Sequence, residues 1–231
     1  MRLYTVLYKT AWGKDAVKKI EAKRLQHLYS KFDRIIISPG IDINRCKLSK
    51  YLKKNYDKIH SDLDVFYSFF KNDCITITGT NGKSTVCQLL YEVLKNQKLD
   101  AKLVGNIGNP ILSVKNVKKK TIFIIEASSY QLEYSKIFRS KYGAILNISP
   151  DHIERHKTIK QYTKAKFKLL KSQSKGDLAF VKKNDKFINK ELKLCNLKVK
   201  AIKVNTKSKN KFFKKIKNRY FLNESNRENL L

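Results

Sequence analysis

Acidic residues are scarce in this 231-residue chain: 19 Asp and Glu stand against 51 Lys and Arg, a formal charge of +32. A surplus of that size attracts phosphates, nucleic acid or anionic membrane without sequence specificity. The lysines, however, run along the whole chain beside abundant Asn and Ile and only 8 Gly and 3 Pro, so the charge reads as a compositional bias and not as a basic tail or arm. Cysteine is equally thin. Cys46, Cys74, Cys87 and Cys195 are irregularly spaced and form no CxxC pair, which argues against a zinc site or a disulfide framework and for a reducing, cytoplasmic setting. No apolar run approaches the ~18 to 20 residues of a membrane span. The opening MRLYTVLYKTAW lacks the apolar core and cleavage site of a secretory signal.

What is present is enough apolar residue, 42% of the chain, to bury a real core. Short β-branched runs alternate with longer helical patterns, the mark of an α/β fold with a mostly parallel sheet flanked by helices. The clearest expected strands are Arg34 to Ser38, Cys74 to Thr78, Ala101 to Val104, Thr121 to Glu126, Tyr142 to Ile148 and Asp177 to Val181. Between Ser84 and Asn96, Val86, Leu89, Leu90, Val93 and Leu94 share one helical face, and Thr158 to Ser172 repeats the pattern with Ile159, Tyr162, Leu169 and Leu170. A polar connection over Ser61 to Asn72 suggests a boundary, with a small lysine-rich α/β segment before it. After about Val204 the chain turns basic and polar before a final helix start at Asn226.

The sharpest local signal is Cys74-Ile-Thr-Ile-Thr followed by Gly79-Thr80-Asn81-Gly82-Lys83-Ser84-Thr85 and an amphipathic helix. Strand, glycine loop and helix are the parts of a phosphate cradle. Backbone amides and the positive helix end face the phosphate oxygens, a lysine reaches the outer phosphates, and a hydroxyl ligates Mg²⁺. The spacing is shorter than the full Walker form, since Ile77 stands where the first glycine would be. A chance Gly-Lys-Ser at a turn is the bland alternative.

Three further residues carry chemistry at strand ends or on an inward helix face. Glu126 closes the run Ile122 to Ile125, where a parallel strand delivers ligand-binding groups. Beside a phosphate loop it suits Mg²⁺, although a helix-capping glutamate is an equally open reading. His152 follows the apolar run Ala144 to Ile148, and a lone histidine there is more often structural. Lys166 lies seven residues after Ile159 and four after Tyr162, among core positions, where a lysine either snorkels to solvent or has a special role. His156 reads as a surface or packing residue.

The loop TGTNGKST resembles that of the Mur ligases and their relative folylpolyglutamate synthase. Four more strings, in the family's order, narrow the resemblance to the D-glutamate-adding type: Ser38-Pro-Gly-Ile41, Gly105-Asn-Ile-Gly108, Glu126-Ala-Ser-Ser-Tyr-Gln-Leu-Glu133 and Asn147-Ile-Ser-Pro-Asp-His-Ile-Glu-Arg-His156. The resemblance runs from about Ser38 to Leu231. It implies ATP as nucleotide, Mg²⁺ held by Ser84 and Glu126, and a second ion on His152 with Lys166 carbamylated to a carboxylate-like ligand. It also implies catalytic roles for Lys83, His152 and Lys166, and contacts from Asn106, Ser128, Ser38 and Gly40 to UDP-N-acetylmuramoyl-L-alanine. Asn226 resembles an adenine-contacting Asn, although Ser225 stands where the family has His, and Ala127 where it usually has Leu.

On that resemblance, residues 1–66 are expected to be part of a UDP-substrate domain and 67–231 the central ATP domain. The Gly-rich first turn and the third domain are expected to be missing, so that the isolated chain binds nucleotide weakly and does not ligate. The implied reaction joins D-glutamate to the alanine carboxylate through an acyl phosphate, in a monomer with no membrane insertion and no specific nucleic acid. Two alternatives stay open: another amide ligase with the same ATP core, a sister Mur ligase or folylpolyglutamate synthase among them, and a basic nucleic-acid-binding protein suggested by charge alone.

Overall fold

The computed structural model describes residues 6–7 and 33–205. Its centre is a six-stranded sheet in the order β5-β6-β4-β7-β8-β9, every neighbouring pair parallel. The strands are β4 (Cys74–Thr78), β5 (Ala101–Gly105), β6 (Ile122–Glu126), β7 (Tyr142–Ile145), β8 (Leu178–Lys182) and β9 (Ala201–Val204). A second, three-stranded parallel sheet comprises β1 (Val6–Leu7), β2 (Ile35–Ile37) and β3 (Ile59–His60). The helices are α1 (Ser49–Lys54), α2 (Asp62–Phe69), α3 (Lys83–Asn96), α4 (Ser129–Tyr134), α5 (Ile153–His156), α6 (Ile159–Lys171) and α7 (Lys186–Leu194).

The large sheet forms where β-branched runs are apolar on both faces. Phe123, Ile124 and Ile125 of β6 are all fully buried, as a strand covered by helices on both sides requires. Helix starts are set by side-chain caps. Ser128 and Gln131 form a capping box on α4, Thr158 accepts from Gln161 N on α6, and Asp185 accepts from Phe187 N and Ile188 N on α7. Each such cap contributes about 1 kcal/mol.

The stretch Ser61 to Asn72, expected to be a polar connection, is instead mostly the helix α2. Its Leu63 and Phe66 join the main core, where the Phe66 ring meets Phe123 edge-on at 4.8 Å. Its aspartates are polar but not solvated. Asp64 is buried and accepts from Ser135 Oγ, from the backbone N–H groups of Lys136, Ile137 and Phe138, and pairs with His60 at 2.7 Å. Helix α2 thereby fastens the small sheet to the loop entering β7. The expected strand Tyr142 to Ile148 ends at Ile145, and the residues after it bend back onto the phosphate loop. The expected helix start at Asn226 lies outside the described residues.

Topology places the site. The chain leaves β4 for β5, returns to β6, then crosses to β7 on the other side of β4. The C-terminal ends of β4, β6 and β7 therefore open on the crevice where open parallel sheets bind ligands.

Candidate functional site

The loop between β4 and α3 is strapped to the segment after β7. Thr80 N donates to Asn147 O at 3.0 Å, and the Asn147 side chain both accepts from Asn81 N and donates to Asn81 O. Thr80 Oγ1 accepts from Ser149 N. Gly82, with φ +81°, sits at the N-cap of α3, a left-handed geometry that costs a side-chain-bearing residue about 1 to 2 kcal/mol. Lys83 folds back so that Nζ donates to Thr80 O at 2.8 Å. An incoming phosphate, as a charged acceptor, competes well with that neutral carbonyl. Thr85 follows in the first turn of α3, half-buried.

Glu126 is 1% exposed at the end of β6, and it caps no helix. Oε2 accepts from Ser84 Oγ at 2.8 Å and Oε1 from Asn106 Nδ2 at 2.9 Å. Asn106 also donates its backbone N–H to Glu126 O. Ser84 and Glu126 thus offer two hard oxygen ligands beside the phosphate loop. Magnesium takes one or two such groups and completes its shell with phosphate oxygens and water. Among the described residues no group of three or more His, Cys, Asp and Glu is placed to hold a metal.

Lys166 does not snorkel. It is 2% exposed, with Nζ donating to Gly79 O at 2.8 Å and Thr78 Oγ1 at 3.3 Å, 4.6 Å from the Tyr162 ring centroid. Burial, and then the nearby Lys83 cation, push its amine down to about 7, while Asp151 and Glu126 pull the other way. A neutral fraction therefore exists near pH 7.

His152 is brought to the same crevice but faces out, its side chain 45% exposed and Nε2 3.4 Å from Asp151 Oδ2. Its ring lies 5.1 Å from Tyr130 and 6.3 Å from Tyr162. Tyr162 completes the cluster by a 3.2 Å hydrogen bond between its hydroxyl and Thr80 Oγ1. His156 is buried, bonded to Ser129 Oγ at 3.0 Å and stacked on Tyr130.

The expected substrate contacts are more dispersed. Ser128 is occupied with Gln131 in the α4 capping box, and Gln131 Nε2 in turn donates to Asp62 Oδ2 at 2.8 Å. Ser38 O accepts from Ile41 N in the turn after β2, and Gly40 stands open, with no atom within 4 Å of a would-be Cβ. Asn226 lies outside the described residues. Reading the sequence overlooked Asn147, whose strap holds the loop. The available signals were its position immediately after the β7 apolar run and at the head of the Asn147 to His156 string.

The description "Mur ligase middle domain" matches residues 77–229. The chain belongs to the Mur ligase family. It is 41% identical over 140 residues to a UDP-N-acetylmuramoylalanine–D-glutamate ligase of Caldicellulosiruptor bescii, covering 60% of the chain and 30% of that relative. To the ligase of the same name from Rickettsia felis it is 35% identical over 176 residues, covering 76% and 38%. The chain thus spans about a third of the length of these curated relatives. In fold, this Mur ligase chain resembles a solved UDP-N-acetylmuramate:L-alanyl-gamma-D-glutamyl-meso-diaminopimelate ligase from Neisseria meningitides. The TM-score is 0.53 at 15% identity, over 79% of the chain and 61% of that structure.

Proposed function

We propose that the chain is the nucleotide-binding core of an ATP-dependent ligase that adds D-glutamate to UDP-N-acetylmuramoyl-L-alanine. The observation that carries this reading is the meeting of Lys83, Ser84, Glu126 and Lys166 around one glycine loop, from three different parts of the sequence. The names of the relatives favour D-glutamate over the amino acids of sister ligases. A nucleic-acid role has only the +32 charge in its favour.

In this reading residues 67–231 bind ATP and residues 1–66 belong to the UDP-substrate side, in a monomeric cytoplasmic enzyme. No helix among the described residues is long and apolar enough to cross a membrane. Lys83 leaves Thr80 O for the outer phosphates, and the amides of Gly82 to Ser84 at the start of α3 face the phosphate oxygens, those of Thr80 and Asn81 being taken up by Asn147. An oxygen of the alanine carboxylate attacks the γ-phosphorus as the bond to ADP breaks. The amine of D-glutamate then attacks the acyl carbon, phosphate leaves, and the amine gives up a proton. Lys83 and the helix end stabilise charge that accumulates in transit, the main task in phosphoryl transfer.

Magnesium, held by Ser84 and Glu126, would supply charge shielding and polarisation of the phosphoryl group. A second ion would be held by Lys166, once its neutral amine had added CO₂ and released a proton to become a carbamate, with His152 as the partner ligand. Asn106, Ser128, Ser38 and Gly40 would face the muramoyl substrate, and Asn226 the adenine.

The test is calorimetric titration of Mg²⁺·ADP into the wild type and Lys83→Ala, with phosphate release measured for UDP-N-acetylmuramoyl-L-alanine plus each candidate amino acid. Binding that Lys83→Ala weakens about tenfold or more, with any phosphate release answering to D-glutamate, supports the reading. Binding that ignores the substitution, or turnover that answers to a different amino acid, refutes it.

A further inference from the structure

Arg155 has no part in the reaction as described, yet it is one of the most heavily engaged cations in the molecule. It lies on α5, one turn beyond His152, with its side chain 8% exposed. Its Nη2 donates to Ile41 O at 2.6 Å and to the Tyr134 hydroxyl at 3.0 Å. Its Nε lies 3.9 Å from Asp42 Oδ1 and 3.8 Å from Glu133 Oε2. The guanidinium plane rests over Tyr130 at 4.9 Å, the ring that also packs on His152.

Ile41 and Asp42 belong to the turn after β2 that begins at Ser38, whereas Glu133 and Tyr134 end α4. One guanidinium therefore joins three segments: the Ser38 turn, α4, and its own helix α5, whose N-cap is His152. Planar, multi-donor geometry suits Arg to this task, and a lysine supplies only a single point of contact. A second, exposed strap runs the opposite way, from Arg45 Nη2 to Glu154 O at 3.1 Å. Without Arg155, the Asp42 and Glu133 carboxylates, each of which feels the other's charge, lose the one cation they share, leaving Arg45 beside Asp42 and Lys168 beside Glu133. Glu133 Oε2 already has no hydrogen-bond partner.

We infer that Arg155 is a positioning residue that sets the spacing between the Ser38 turn and the α5 N-cap at His152, so that the UDP-sugar and the triphosphate are held at reacting distance. This rests on the ligase reading above. Arg155 itself touches neither reacting group; it acts through Ile41 O, Tyr130 and Tyr134.

The experiment compares wild type, Arg155→Lys, Arg155→Ala and Arg45→Ala in the full chain by two readouts. The first is calorimetric affinity for UDP-N-acetylmuramoyl-L-alanine and, separately, for Mg²⁺·ADP. The second is amide exchange, without ligand, at Arg45 and Cys46, whose N–H groups bond Asp42 O, against Ile124 in the central sheet. The inference expects Arg155→Ala to lose about tenfold or more in UDP-sugar affinity while ADP affinity stays within about twofold. Arg155→Lys should recover part of the loss, Arg45→Ala should resemble wild type, and exchange should quicken at Arg45 and Cys46 but not at Ile124. Equal loss of both ligands with faster exchange at Ile124, or no change in UDP-sugar affinity, overturns it. A wild type that binds neither ligand refutes the ligase reading itself and the positioning role with it. A wild type that binds both, with Arg155→Ala unaltered, refutes only the latter.

Discussion

The Ser84 hydroxyl donates to the Glu126 carboxylate at 2.8 Å, joining the first turn of α3 to the end of β6 across 42 residues of sequence. In the absence of a cation this hydrogen bond holds together the two groups that would share one. Replacing Glu126 by Gln keeps an acceptor for Ser84 but removes the charge that a hard cation requires. The expected outcome is a loss of Mg²⁺ stimulation of ADP binding by about tenfold or more, with metal-free nucleotide binding little altered, as measured by titration with and without Mg²⁺.

Gly105 makes the approach to Glu126 possible. Its φ is +107°, and a Cβ there would stand 2.4 Å from the Glu126 carbonyl oxygen, a backbone atom with no room to retreat. Gly105→Ala is expected to cost on the order of 3 kcal/mol in urea unfolding, and to displace the Asn106–Glu126 hydrogen bonds.

His156 predicts a pH dependence. Burial, then the Arg155 cation, push its imidazole down to about 4, below the ~6.5 of an unfolded chain. Between those values the unfolded state binds the proton first, so stability falls as pH drops from ~6.5 towards 4 and this contribution levels off below that. A His156→Gln variant should show a shallower decline of Tm over that window than the wild type.

Asp64 is the hub that fastens the small sheet to the large one. Burial alone would raise its carboxyl, but the hydrogen bonds from His60, Lys136 N, Ser135 and Ile137 N hold it below the usual range. Asp64→Ala strands those donors, at an expected cost of about 3 to 5 kcal/mol. A urea midpoint within error of the wild type's would show that the hub contributes nothing.

Much of this was legible in the sequence for a physical reason. Strands such as Ile122–Glu126 are buried on both faces and must be written as unbroken β-branched runs, so their positions were read to within a residue or two. The phosphate loop was readable because strand, glycines and helix follow one another in a single stretch from Cys74 to Asn96. Helix α2 was misread because Asp62, half-buried, and Asp64, buried, are polar by type yet serve partners some 70 residues away, and nothing local announces such partners. The same holds for the Asn147 strap and for Arg155, whose meaning lies in long-range contacts. Lys166 was visible as an anomaly of helical periodicity. That its amine ends on Gly79 O and not in solvent required the fold.

The central claim is that one cation and one triphosphate are held together by the phosphate loop with the start of α3, the end of β6 and the inward face of α6. A crystal structure of the chain with Mg²⁺ and a non-hydrolysable ATP analogue tests it most directly. The account predicts phosphates within hydrogen-bond reach of the Gly82 to Ser84 amides, Lys83 Nζ withdrawn from Thr80 O onto them, and a metal ion separating Ser84 Oγ from Glu126. A nucleotide bound elsewhere, or a Ser84–Glu126 hydrogen bond left intact with no metal between the two, would contradict it.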